Sequence, residues 1–186
     1  MPYISETIVT TVDRQGKVHI APLGIIAERD GWVIAPFRPS TTLDNLAEVP
    51  FAVANHTDDV RVFAGCLTGR KDWPTVAVGG CPVPRLAAAL AHSVLEVVEV
   101  ADDGVRPRHF CRVAGQQAHA PFTGMNRAKA AVLELAILVS RLSMLPREKI
   151  EAEIAYLSIV LEKTAGPDER QAWGWLMEKV AAYFDR

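Results

Sequence analysis

The glycine-rich signatures of several large enzyme classes are missing from this chain. No Gly-x-Gly-x-x-Gly opens a dinucleotide fold, no Gly-x-x-x-x-Gly-Lys-Ser/Thr cradles a nucleoside triphosphate, and no Gly-x-Ser-x-Gly presents a hydrolase nucleophile. Kinase and hydrolase readings lose their support there. Cysteine is scarce as well. Cys66, Cys81 and Cys111 are odd in number and widely spaced, which excludes a disulfide framework and a Cys-x-x-Cys metal knuckle and leaves reduced thiols at buried or partly buried positions. The five histidines form no His-x-x-x-His or His-Glu-x-x-His pair, so no metal site is expected. Neither sign of charge dominates: 20 basic against 22 acidic side chains give a net charge of −2, with no pull toward nucleic acid or anionic lipid. No apolar run reaches membrane-spanning length and no signal-peptide pattern opens the chain, so neither a nucleic-acid nor a membrane partner is expected, and a cytoplasmic location is.

What is present is a globular composition, 49% apolar and 23% charged, over 186 residues, enough for one domain with a subdomain. The first third is strand-rich. Ile4 to Val12 is dense in Ile, Val and Thr, Gln15-Gly16 turns the chain, Val18 to Ile26 returns, and Asp30-Gly31 precedes Trp32-Val33-Ile34, predicting a three-stranded antiparallel meander. A short helix is expected over Thr42 to Glu48, then strands at Phe51 to Asn55 and Val60 to Cys66 with Asp58-Asp59 in the turn between them. Short strands at this spacing favour a small closed or partly closed barrel. Residues 68–84 carry Gly69, Pro74, Gly79, Gly80, Pro82 and Pro84 and read as a loop. Pro84 to His92 reads as an alanine-rich helix, and Leu95 to Val100 and Phe110 to Val113 as two more strands. Apolar residues at helical spacing predict helices over Arg127 to Leu145 and Arg147 to Lys163 and a third from Pro167, the last with Asp168 and Glu169 at its positive end.

The segment Arg38-Pro39-Ser40-Thr41-Thr42-Leu43-Asp44-Asn45 leads from a strand into the first short helix. Helix-start N–H groups have no intrahelical partner and point at any anion placed there. The helix dipole favours its charge, and Ser40, Thr41, Thr42 and Arg38 add hydroxyl and guanidinium donors, so this is a phosphate site in outline. Plain capping of a surface helix by Ser40 or Thr41 is the competing reading. Asn126-Arg127 at the start of the long helix is a second candidate anion-binding end, against the reading of Asn126 as an N-cap and Arg127 as a surface residue. Among the tryptophans only Trp73, in the Gly/Pro-rich loop, is a candidate to stack on a ring.

Three of these segments, Ala21-Pro22, Thr42-Leu43-Asp44-Asn45-Leu46 and Val53-Ala54-Asn55, resemble in order and spacing the FMN-binding split-barrel proteins related to flavin reductases. That likeness covers the first sixty or so residues. Glu6-Thr7-Ile8-Val9-Thr10-Thr11 and Phe122-Thr123-Gly124-Met125-Asn126-Arg127-Ala128-Lys129 resemble more narrowly the DUF447 proteins of the same fold, over nearly the whole chain. The resemblance implies an α+β fold, with an FMN-binding split β-barrel over 1–120 and a C-terminal α-helical subdomain over 121–186. It implies FMN at the barrel surface, in a homodimer, with its phosphate on Arg38, Ser40, Thr41 and Thr42. Asn45 then bonds the same phosphate or ties the turn to the barrel. The backbone of Ala21, Pro22 and Leu23 would lie along the flavin ring, and Asn55, Thr57 and Asp58 near the ribityl chain or ring; Asn55 has a second reading in closing a turn, and Asp58 in a hairpin tip. An oxidoreductase acting on a small molecule, with NAD(P)H as reductant, is the function implied. A non-catalytic flavin carrier or sensor is the alternative, and pyridoxal phosphate the alternative ligand. No catalytic acid or base is assigned, because the cofactor would carry the redox chemistry.

Overall fold

The computed structural model describes residues 2–185. Its elements in chain order are β1 (Ile4–Val12), β2 (Val18–Glu28), β3 (Gly31–Ile34), α1 (Thr41–Glu48), β4 (Phe51–His56), α2 (Val60–Leu67), β5 (Thr75–Val76), β6 (Arg85–Leu86), β7 (Ala91–Ala101), β8 (Arg108–Ala118), α3 (Arg127–Ser140), α4 (Arg147–Thr164) and α5 (Pro167–Phe184). The chain divides into two compact units. One comprises the residues up to Thr57 with Trp73–Phe122, and the other Asp58–Asp72 with the residues from Thr123 onward.

The first unit is a closed antiparallel barrel in the order β1-β2-β3-β8-β7-β4. The expected meander is there: β1 pairs with β2 from Ile4↔Ile26 to Val12↔Val18, and β2 with β3 from Ile26↔Val33 to Glu28↔Gly31. Gly31 is required by close approach, since a Cβ there would stand 2.2 Å from the Cys111 carbonyl oxygen. Val9, Ile25, Ile34, Ala52, Ala54, Leu95 and Cys111 fill one core cluster, with Leu46 of α1 among them. On the other face of the same strands, Val12, Val53 and Val94 pack with Val83. Residues Thr7 to Val12 are thus all buried, and β1 reads as a continuous run of Ile, Val and Thr instead of alternating with polar residues.

Two sequence expectations fail here. Pro84 to His92 is no helix. Leu86 N–H donates to Asn55 Oδ1 at 2.7 Å, Thr10 Oγ1 donates to the Pro84 carbonyl at 2.6 Å, and β6 pairs with β5 before the chain enters β7. These tertiary bonds outweigh the intrinsic helix preference of the alanines, a difference of tenths of a kcal/mol per residue. Val60 to Cys66 is a helix and not a strand. An apolar run this short has no decisive period. The deciding groups are Asp59, whose carboxylate accepts from the Arg61 N–H at 3.0 Å as an N-cap, and Gly69, which takes a positive φ of 88° just past the end.

The second unit is all helical: α2 packs with α3, α4 and α5 around Val60, Ala64, Leu135, Val139, Ile150, Leu157, Leu161, Leu176 and Val180. The three C-terminal helices follow the predicted stripes, with α3 ending at Ser140. Among the described residues no helix is long and apolar enough to cross a membrane.

Candidate functional site

The barrel opens where β2 and β3 part. Their pairing ends at Ile26↔Val33, and continuing that register would set Ala35, Pro36, Phe37 and Arg38 opposite Gly24, Leu23, Pro22 and Ala21. Instead the segment after β3 is drawn to the tip of the β7–β8 hairpin. Arg106 Nε donates to the Ala35 carbonyl at 2.6 Å, the Arg38 N–H donates to the Val105 carbonyl at 3.1 Å, and the Arg106 guanidinium lies over the Phe37 ring. Among the described residues, Ala21 to Gly24 therefore have β1 on one edge and no strand on the other. Half-buried, they leave about 10 Å of strand edge, at ~3.3 Å per residue, without a strand partner.

The loop after β3 leads to the first helix. It runs through a cis Arg38–Pro39 peptide into α1. Ser40 caps that helix through its backbone carbonyl, which accepts from the Leu43 and Asp44 N–H groups at 3.0 and 3.2 Å, while its hydroxyl makes no capping bond. Thr41 is exposed and Thr42 buried on the inner face of α1. Arg38 forms a forked pair with Asp102, 2.7 Å for each arm. That pairing raises the Arg38 pKa, and the same bond, aided by the Gly104 N–H, holds the Asp102 carboxyl down at about 2. Two of the five guanidinium donors are used in the fork. Next to this loop, at the register position opposite Ile34, His109 is buried with its Nδ1 unpartnered, alone in that respect among the buried side-chain nitrogens and oxygens of the described residues. Burial lowers its pKa and keeps the ring neutral.

This donor set suits a phosphorylated group with a flat polar ring. It offers helix-start amides, the Ser40 and Thr41 hydroxyls and spare Arg38 donors at one end, and a strand edge at the other. Arg106, Asp102 and His109 went unseen in the sequence because they lie on a hairpin about sixty to eighty residues downstream, and only the β3–β8 pairing brings them here.

The other sequence candidates sit elsewhere or do other work. Asn45 is buried and donates to Thr11 Oγ1 at 3.0 Å, a bond that joins α1 to β1. Asn55 is fully buried, and its amide is committed to Ile8 O at 2.9 Å, Val53 O at 3.1 Å and Leu86 N at 2.7 Å, which corrects the expectation of a ligand contact at that position. Thr57 donates its hydroxyl to the Ala88 carbonyl at 3.0 Å. Asp58 belongs to the helical unit, paired with Lys129 at 2.5 Å. Asn126 in that unit caps α3, accepting from the Ala128 N–H at 2.8 Å and donating to the Thr164 carbonyl at 3.0 Å, and Arg127 is exposed in the first turn. Trp73 is half-buried just ahead of β5.

Comparison with known proteins places this architecture. An FMN-bound DUF447-family protein from Methanosarcina mazei superposes with a TM-score of 0.81 at 21% identity, over 95% of this chain and 94% of that one. The 2-nitrobenzoate 2-nitroreductase of Pseudomonas fluorescens matches with a TM-score of 0.53 at 20% identity, over 63% of this chain and 64% of its own. An NADH:FAD oxidoreductase of Streptomyces globisporus also gives 0.53, at 13% identity, over 64% and 77%. At these identities the likeness is one of fold, the split barrel of flavin proteins, here in an α+β chain. No curated protein matches the sequence. The family models for the DUF447 protein of unknown function match residues 5–120, the N-terminal domain, and 126–178, and the chain belongs to the DUF447 family.

Proposed function

We propose that the protein binds FMN in the cleft between β2 and the loop entering α1, and serves as a flavin-dependent oxidoreductase. The observation that carries this reading is the parting of β2 from the segment after β3, which leaves a strand edge facing a loop rich in anion donors. Ser40, Thr41, Arg38 and the first-turn amides of α1 hold the phosphate, and Asp102 orients the Arg38 fork. Of Ala21, Pro22 and Leu23, the alternation of the β1–β2 ladder turns the Pro22 carbonyl outward to the polar edge of the ring, with the Ala21 and Leu23 backbone groups directed at β1. Bound FMN supplies hydride and electron transfer, with NAD(P)H as the reductant in this reading. The M. mazei relative was crystallised with FMN, which supports the same ligand here. Exposed apolar side chains at Tyr3, Ile4 and Phe37 support a homodimer.

Fluorescence titration of the purified protein with FMN tests the site. Arg38→Ala and Thr41→Ala are each expected to weaken FMN binding about tenfold, the cost of losing a charged hydrogen bond. Unchanged affinity in both variants removes the phosphate assignment. Steady NAD(P)H oxidation by the FMN-loaded protein with an added acceptor distinguishes an oxidoreductase from a carrier or sensor.

A further inference from the structure

In the helical unit, α4 is apolar on two opposite faces. At about 100° per residue, Ile150, Ile154, Leu157 and Leu161 lie along one side and pack into the core of the unit. On the other side Ala152, Ala155, Tyr156 and Ile159 fall within an arc of about 100°. All four are exposed, Tyr156 at 70% and Ile159 at 51%. The flanks between the two faces carry i,i+4 ion pairs, Arg147 with Glu151 on one and Lys149 with Glu153 on the other, each at 2.7 Å. Single apolar residues scattered over a surface are ordinary, but an apolar stripe two turns long between charged flanks is the pattern of a helix with a neighbour on each side.

The two ends of the stripe identify that neighbour. Glu148 continues the arc one turn before Ala152, and Lys163 continues it one turn after Ile159. Both are exposed, and among the described residues neither enters an ion pair, unlike the charges on the flanks. One end is acidic and the other basic, about 22 Å apart along the axis. A second copy of α4, laid antiparallel about a two-fold axis at Ala155–Tyr156, brings Glu148 to the partner's Lys163 and Lys163 to the partner's Glu148. The same placement sets Ala152 across from the partner's Ile159 and Ala155 across from the partner's Tyr156, small against large. It also lays the positive end of each helix dipole beside the negative end of the other. A parallel copy would set Glu148 against the partner's Glu148 and Lys163 against the partner's Lys163.

We propose that α4 is a self-association face, on which two copies of this chain pair antiparallel through Ala152, Ala155, Tyr156 and Ile159, with Glu148 and Lys163 closing both ends. The contact is isologous. A strip about 22 Å long and one helix wide covers about 300–400 Å² per copy, under the ~800 Å² of a stable complex, so pairing through α4 alone is weak and depends on concentration. The ion pairs at its ends, open to solvent, set direction and register more than affinity. The face uses none of Tyr3, Ile4 and Phe37, and it rests neither on a homodimer formed by the barrel nor on the flavin reading.

Cross-linking of the full chain with a short bismaleimide tests it, in a Cys81→Ser background that leaves only the buried Cys66 and Cys111. Ala155→Cys, close to the two-fold axis, is expected to link to the same position of a second copy, with a yield that rises with protein concentration. Glu162→Cys, about 20 Å from its counterpart along the axis, is expected to stay unlinked. Glu148→Lys and Lys163→Glu, each added to Ala155→Cys, are expected to raise the concentration at half-maximal yield about tenfold, and the two together, which restore opposite charges across the axis, to bring it back. Circular dichroism checks that α4 stays helical in all three. Ile159→Lys, at an exposed position, is expected to abolish the link, and Phe37→Glu to leave it unchanged. No link at position 155 even at millimolar protein overturns the proposal, as does linking at positions 155 and 162 alike. Absence of rescue in the double charge variant overturns it as well. A link lost in Phe37→Glu and kept in Ile159→Lys belongs to the barrel and equally removes α4 as the face.

Discussion

Replacing Asn55 with alanine is expected to loosen the barrel and not to act through a ligand. The Asn55 amide closes two structures 31 residues apart in sequence: its Oδ1 is the acceptor for Leu86 N–H at 2.7 Å, and its Nδ2 donates to Ile8 O and Val53 O. The Ile8 and Val53 carbonyls lie on paired strands and keep their ladder partners. The Leu86 N–H is left buried without an acceptor, which costs about 1–3 kcal/mol, and the void left by the side chain adds about 1 kcal/mol more. A total of about 3 kcal/mol corresponds to a fall in melting temperature of roughly 6–12 °C at this chain length. Urea titration followed by Trp32 fluorescence, in a background with Trp73, Trp173 and Trp175 replaced by phenylalanine, reads the barrel itself, since Trp32 lies in β3. Asn55→Asp is the companion variant. It keeps an acceptor for Leu86 but turns a carboxylate oxygen toward two carbonyls, so it is expected to be worse than alanine at neutral pH and to recover on acidification, when the carboxyl can donate. An Asn55→Ala barrel within about 0.5 kcal/mol of wild type would refute the assignment of Asn55 as an internal tie.

Two further outcomes follow from buried titratable groups. Burial lowers the pKa values of His56, His92 and His109. The folded barrel thus binds fewer protons than the unfolded chain just below the ordinary histidine pKa of about 6.5, and the stability from keeping these rings neutral is full above that value and is lost as pH falls through it. Thermal melts of the barrel at pH 7.5 and 5.5, above the range where Asp102 titrates, should show a lower midpoint at pH 5.5; a flat or rising profile contradicts the argument. Burial also pushes the thiols of Cys66 and Cys111 up, to about 11 and about 12. Iodoacetamide at pH 8 is expected to leave both unmodified in native protein and to alkylate them in urea, so labelling of either in the folded state by mass spectrometry would count against their placement.

The meander and α1 could be read from the chain because their signals are local. Ile, Val and Thr runs end at Gly16 and Gly31, and Ser40-Thr41-Thr42 stands just ahead of an apolar helix face. The pieces that escaped reading are decided at long range. Residues 84–92 have a helical composition and are held extended by Thr10 and Asn55, partners 74 and 31 residues away. For α2 a signal did exist, Asp59 ahead of the apolar run and Gly69 after it, but the run was too short for its period to settle the matter. At the site, the loop's hydroxyls and Arg38 were legible, whereas the Asp102 fork, 64 residues away, depends on strand pairing that no spacing encodes.

The path of the chain carries one last consequence. Because α2 is folded with the C-terminal helices while its sequence neighbours on both sides belong to the barrel, the backbone leaves the first unit at residue 58, returns at 73 and leaves again after 122. No single cut separates the two. A fragment ending at residue 122 would strand Val60 and Ala64 without the helices that cover them, exposing an apolar stripe prone to self-association. Isolating the barrel therefore calls for excising residues 58–72 and bridging the gap, a topological interlock that ties the folding of the N-terminal half to synthesis of the C-terminal one.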